Sequence, residues 1–214
     1  MSSTIVVLGS RSPRRFDLLS TIVSPERIEV IPPLLGHEAG FDGLDARDEI
    51  QTRQLEISRT KLNDVRKQVR ERGLENVVIV TADTSIVVAD PSGNHAVLEQ
   101  PPRDDSWKET VRQWFRTYYF GQSHIAATAL CVAHTDGTCI ERLVETTVEF
   151  GSDGERWLDL YIETGEPLGK AGGYGIQGAG GLFVSRLQGS LTNVVGLPLS
   201  ELLEIFEELG VEYC

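Results

Sequence analysis

The sequence predicts an α/β fold: a mixed, twisted sheet with flanking helices. Short apolar runs rich in β-branched residues alternate with stretches of helical period. Val77 to Val80 is a continuous apolar run, the pattern of a central strand covered on both faces. Two pairs of runs, Ile86–Ala89 with His95–Leu98 and Ile125–Ala133 with Cys139–Phe150, flank turn residues and add antiparallel hairpins.

Thr4 to Leu8 reads as a buried strand. Ser12 is a good N-cap and Pro13 suits the first helical position, so a helix starts there and continues through Asp17, Leu18, Leu19 and Ile22. Ile28 to Ile31 is a second strand, ended by Pro32-Pro33. Leu34 to Asp45 is irregular. A long helix follows from about Asp48 to Arg72, closed by Gly73, with Ile57, Leu62, Val65 and Val69 on its inward stripe. The Val77–Val80 strand is read as ending in Thr81-Ala82-Asp83-Thr84. Ser106 to Tyr119 is an aromatic-rich helix capped by Ser106. Gly154 to Glu163 is a short helix, Leu182 to Leu187 a strand, and Pro198 to Leu209 a closing helix. Gly165 to Gly181 is the one long glycine-rich loop.

The 214 residues suffice for a single domain with a proper core. No apolar run reaches the ~18 residues of a membrane helix, and the start lacks a signal-peptide pattern. The expectation is a cytoplasmic protein without membrane contact. Lys and Arg number 20 against 32 Asp and Glu, a formal net charge of −12, which disfavours nucleic acid as a partner. It also means that any phosphate site must be built from local cations, a dication, or both. The three cysteines, Cys131, Cys139 and Cys214, lack ligand spacing and read as free thiols. If Asp136-Gly137 forms a two-residue loop, Cys139 faces His134.

Five features could carry chemistry. Ser10 to Arg15 joins a strand to a helix start, where free N–H groups and Arg14 and Arg15 attract phosphate; a capped helix with two solvated arginines is the alternative. Asp83 is read as lying just past the carboxyl end of an apolar central strand, the edge where ligands gather and where a carboxylate can hold a metal or take a proton from water; it could instead cap a turn. Glu38, in an irregular segment, could reach the same place or be an ordinary surface acid. Lys61, four residues from both Ile57 and Val65, either snorkels to water or reaches a phosphate; local pattern favours snorkelling. In the glycine loop, Lys170 can meet an anion and Gln177 can read a base edge through its oxygen and its amide. His124 and the stripe of Trp107, Trp114, Phe115 and Tyr118 read as core.

Taken together these residues resemble the Maf family, nucleoside triphosphate pyrophosphatases also called septum formation inhibitors. The resemblance covers most of the chain. It is carried by Leu8-Gly9-Ser10-Arg11-Ser12-Pro13-Arg14-Arg15, where the family reads Leu-Ala-Ser-x-Ser-Pro-Arg-Arg. It is carried also by Ala82-Asp83-Thr84, by Gly121-Gln122-Ser123-His124, by Lys170-Ala171-Gly172-Gly173-Tyr174-Gly175-Ile176-Gln177-Gly178, and by Asn193-Val194-Val195-Gly196-Leu197-Pro198-Leu199. Lys61 matches the lysine of the family's long helix and Glu38 its loop glutamate.

The resemblance implies one domain over residues 1–214, with two lobes around a deep cleft. One lobe would hold the central strands and both termini, the other the 123–150 hairpin. It implies hydrolysis of a nucleoside triphosphate, UTP or dTTP, to the monophosphate and pyrophosphate. Asp83 and Glu38 would be catalytic and would hold a divalent metal, magnesium first, with manganese or cobalt as alternatives. Ser10, Arg14, Arg15, Lys61, Thr84, Lys170 and Gln177 would bind substrate, with Arg14, Thr84 and Gln177 at the positions that set base preference. Homodimers are frequent in the family.

One departure stands out. The family carries a Lys-Pro pair after the central hairpin, whereas this chain reads Leu98-Glu99-Gln100-Pro101-Pro102-Arg103-Asp104. A lost charge-assisted contact costs roughly 1.5–3 kcal/mol, one to two decades in affinity. Arg103 stands near enough in sequence to replace it. The departure leaves two alternatives open: a nucleotide-binding regulator with weakened catalysis, or a pyrophosphatase for another nucleotide such as 7-methyl-GTP.

Overall fold

The computed structural model describes residues 4–34, 39–90 and 92–213. Seven strands form one sheet: β1 (Ile5–Leu8), β2 (Ile28–Val30), β3 (Val77–Ala89), β4 (His95–Leu98), β5 (Ser123–His134), β6 (Cys139–Phe150) and β7 (Val184–Gln188). The spatial order is β2-β1-β3-β5-β6-β7, with β4 also pairing β3. β2, β1 and β3 are parallel. β3 to β7 are joined by antiparallel pairs, so the sheet is mixed as expected.

β3 decides where a site can form. Its first residues, Val77 to Val80, pair with β1. Its last, Ile86 to Ala89, pair with β4 on the same side. β5 pairs the other side throughout, from Val78 to Val87. Between Val80 and Ile86 the sheet therefore has a gap on one side of β3, and Asp83 sits in it. The sequence reading ended the strand at Thr81 and is corrected here. Thr81-Ala82-Asp83-Thr84-Ser85 contains no glycine or proline, and its threonines favour extended backbone, so the strand runs on.

Among the described residues six α-helices flank the sheet: α1 (Pro13–Leu19), α2 (Arg47–Glu71), α3 (Trp107–Trp114), α4 (Glu155–Glu163), α5 (Leu191–Val195) and α6 (Leu199–Glu208). α1 is capped by Ser12, whose Oγ accepts the Arg15 N–H, and it stops at Leu19, before Ile22. Val6, Leu8, Val78, Val80 and Ala82 pack with Leu19 of α1 and with Leu202, Ile205 and Phe206 of α6. On the opposite face, Val7, Val77 and Ile79 pack with Leu62, Val65 and Val69 of α2. Beyond the gap, Ile86, Val88, Ala126 and Val148 join a third cluster rich in aromatic rings.

Three local expectations need correction. The aromatic helix is α-helical only to Trp114. Phe115–Tyr119 is a π-helical turn, closed by the Phe120 N–H on the Phe115 carbonyl at 3.0 Å. The wider turn lets Phe115 and Tyr119 both enter the core, ring centroids 5.1 Å apart. Ser106 stands at the N-cap of α3 but its side chain makes no capping bond; the Asp104 carboxylate accepts the Ser106 N–H at 2.9 Å. The β5–β6 loop is one residue longer than the two-residue form, so Cys139 pairs with Ala133 rather than His134. Cys131 and Cys139 are free thiols, and burial pushes the Cys131 thiol up to about 12. Cys214 lies outside the described residues. No helix among the described residues is long and apolar enough to cross a membrane.

Candidate active site

The gap beside β3 opens into a cavity of about 620 Å³. Ser10, Arg14, Arg15, Lys61, Asp83, Thr84, Lys170 and Gln177 all line it, although they span most of the chain. Arg11, Gln100, Arg103 and Gly196 line it as well. Its described walls hold six basic side chains, Arg11, Arg14, Arg15, Lys61, Arg103 and Lys170, and one acidic side chain, Asp83. In a chain of net charge −12, that inversion of sign is a local construction. Glu38 lies outside the described residues.

β3 turns alternate side chains to opposite faces. Asp83 points toward α2, where Lys61 Nζ meets its Oδ1 at 2.7 Å. The pair is largely shielded, with 11% and 13% of the two side chains exposed. Lys61 is therefore not a snorkelling lysine; the carboxylate draws its ammonium inward. Gln54, one helical turn before Ser58 on α2 and fully buried, donates to the backbone carbonyl of Asp83 at 3.1 Å and of Ala127 at 2.6 Å. It pins the strand at the gap, and only its placement on the Ile57 side of the stripe hinted at it.

Thr84 points the other way. Its Oγ1 accepts from Arg15 Nη2 at 3.0 Å and lies 3.0 Å from Thr128 Oγ1. Arg15 also donates from Nε to the Gly196 carbonyl at 2.8 Å and from Nη1 to Ser10 Oγ at 3.3 Å. One guanidinium thus ties the start of α1 to β3 and to the turn after α5. Gly196, at φ +126°, makes that turn. α5 was not visible in the sequence, since a five-residue helix has no readable period; Ser190, which caps it, was the only signal.

Arg14 has no hydrogen bond or ion pair among the described residues, nor has Arg103. Burial, together with nearby Arg14, moves the Lys170 ammonium below its ordinary pKa, and Glu166 opposes the shift. Cations held close without enough anions form a site suited to an anionic ligand. Gln100 and Arg103 share the wall where the departure from Lys-Pro falls. His124 is a core residue, as read: its Nε2 lies 2.8 Å from Tyr174 Oη, and burial lowers its pKa to about 3.

The donors present bear on how a divalent metal could be held. No group of three or more His, Cys, Asp or Glu able to hold a metal occurs among the described residues. Magnesium, however, keeps several waters and is bound through one or two carboxylates plus substrate phosphates. Asp83 in a cavity sized for a triphosphate fits that mode, not a cage made of protein alone.

Residues 5–209 match the family described as Maf-like protein. The chain belongs to the Maf family. This Maf-family chain is 32% identical over 209 residues to a protein of Clostridium perfringens named dTTP/UTP pyrophosphatase, covering 96% of this chain and 97% of that one. It is 34% identical over 209 residues to one of the same name from Brucella abortus, covering 96% and 91%. A third of that name, from Anaeromyxobacter dehalogenans, is 34% identical over 208 residues, covering 96% and 94%.

Proposed function

We propose that this protein hydrolyses a pyrimidine nucleoside triphosphate, dTTP or UTP, to the monophosphate and pyrophosphate. The observation that carries the reading is the cavity in the gap of β3, whose described walls set six cations around one carboxylate in an acidic protein. Family membership and relatives named for this activity support it.

The triphosphate lies across the gap, between the β1–α1 side and the glycine-loop side, which we take as two lobes of one domain. Arg14 and Lys170, with Arg103 in place of the absent lysine, meet its charge. Gln177 reads the base edge. Asp83, oriented by Lys61 through Oδ1, takes a proton from water on its other oxygen. That water attacks the α-phosphorus, the bond from the α-phosphorus to the bridging oxygen breaks, and pyrophosphate leaves with the electron pair. Asp83, substrate oxygens and Glu38 would hold a magnesium ion, which would supply charge neutralisation on the phosphates. Ser10, Arg15 and Thr84 hold the frame of the site.

The test is incubation with magnesium and a panel of dTTP, UTP, other nucleoside triphosphates and 7-methyl-GTP, followed by product identification. Nucleoside monophosphate and pyrophosphate from the pyrimidine substrates are expected. Thermal stabilisation by dTTP or UTP with no product would make the protein a binder, and turnover of 7-methyl-GTP alone would displace the pyrimidine assignment.

A further inference from the structure

We propose that Glu166 is a positioning residue that sets the cavity wall bearing Lys170 and Gln177, and through it the grip on the nucleotide. The kinetic half of this proposal rests on the pyrophosphatase reading; the structural half does not.

Glu166 is absent from the cavity lining, so it acts through other residues. Its Oε2 accepts the Ala179 N–H at 2.7 Å and its Oε1 the Gly180 N–H at 3.1 Å. Its backbone carbonyl accepts from Lys170 Nζ. One residue therefore holds the far end of segment 167–178 with its side chain and the near lysine with its main chain. The segment closes tightly on the carboxylate: a Cβ at Gly178 would overlap it, and one at Gly175 would lie 2.8 Å from Lys170 Cε. Gln177 is adjacent to Gly178 and follows Gly175 by two residues, so its direction depends on this closure.

The core side of the segment is held separately. Tyr119 donates its hydroxyl to the Gly172 carbonyl at 2.8 Å, and Tyr161 donates to the Gly173 carbonyl at 3.1 Å. Tyr161 Oη also lies 3.5 Å from Glu166 Oε1. Gly172 and Gly173 both have φ near +68°, which lets the chain pass close over these rings. The tyrosines fix where the segment leaves the core; Glu166 fixes where it returns. A loop anchored only at its exit would sample many directions for Gln177, and a nucleotide would have to order it on binding.

The test uses Glu166→Ala and Glu166→Gln in the full chain. Two readouts are compared with the parent: amide hydrogen exchange over 175–181, and kcat and KM for dTTP and UTP. In Glu166→Ala, exchange at Ala179 and Gly180 is expected to accelerate about tenfold or more, and KM to rise about tenfold while kcat stays within about twofold, on the scale of one lost charge-assisted hydrogen bond. Glu166→Gln keeps one acceptor oxygen and falls between, and it carries the comparison alone if the alanine variant does not fold. Unchanged exchange overturns the staple. Accelerated exchange with unchanged KM reduces Glu166 to a purely structural cap and overturns the proposal. A parent protein that turns over no triphosphate overturns the functional reading instead, and exchange alone then decides Glu166.

Discussion

Arg14 and Arg15 are sequence neighbours with different duties. Arg15 is tied to Gly196, Ser10 and Thr84, whereas Arg14 faces the cavity near Lys170. Arg15→Ala is expected to cost stability, about 1–3 kcal/mol for the bonds lost from a partly buried guanidinium. Arg14→Ala should leave the melting temperature nearly unchanged and raise KM for dTTP. Thermal melts and initial rates on the two variants decide the matter; the reverse pattern refutes this division. Asp83→Asn should lower kcat by about 10²–10⁴ if Asp83 is the proton acceptor. It also replaces a shielded carboxylate of the Lys61 pair by a neutral amide, so the variant should be less stable. Turnover by Asp83→Asn at the parent rate would remove Asp83 from the mechanism. The Ser-Pro-Arg-Arg run was readable from residue type alone as a capped helix start carrying two cations. Which arginine is tied into the frame was not, because the partner that captures Arg15, Gly196, lies 181 residues away.

At the level of elements, β1 and β3 approach so closely that only glycine fits at Gly9. A Cβ there would lie 2.6 Å from Thr81 Cγ2 and 3.0 Å from Val65 Cγ2. Gly9→Ala should therefore destabilise the protein by about 1–3 kcal/mol, the usual cost of overpacking. Thr81→Ser removes the clashing methyl and keeps the hydroxyl that donates to the Ser58 and Cys131 carbonyls. The double variant should recover most of the loss in urea denaturation, and a strictly additive loss would disprove the clash. This pair also shows what the sequence held and what it withheld. The strand, the capped helix start and the long α2 with its apolar stripe were legible, since period and caps are local. The continuation of β3 through Thr81–Ser85 was misread because a polar stretch resembles a turn until a paired β5 is known. The π-helical turn at Phe115–Tyr119 was hidden for a similar reason: it answers to the shape of the aromatic core, not to local propensity.

At the scale of the molecule, acid should weaken the fold through its aromatic cluster. His124 is buried against Tyr119, Phe150 and Tyr174, and its pKa drops from an ordinary 6.5 to about 3. The unfolded chain takes up a proton below pH 6.5 that the folded chain refuses until about pH 3, so stability present above the first value is lost as pH falls toward the second. The slope contributed is at most about 1.4 kcal/mol per pH unit. In denaturation from pH 7 to pH 4, His124→Gln should flatten the pH dependence by one proton relative to the parent; an identical slope would show that His124 does not control it. The gap in the sheet has a mechanical corollary of its own. An ordinary strand frays from its tips. β3 has neighbours on both sides at Val78–Val80 and at Ile86–Val87, and on one side only between them, so its middle is weaker than the doubly paired stretches that flank it. Deuterium should enter this longest strand from the centre outward, and a bound nucleotide, by filling the missing neighbour's place, should restore the usual order.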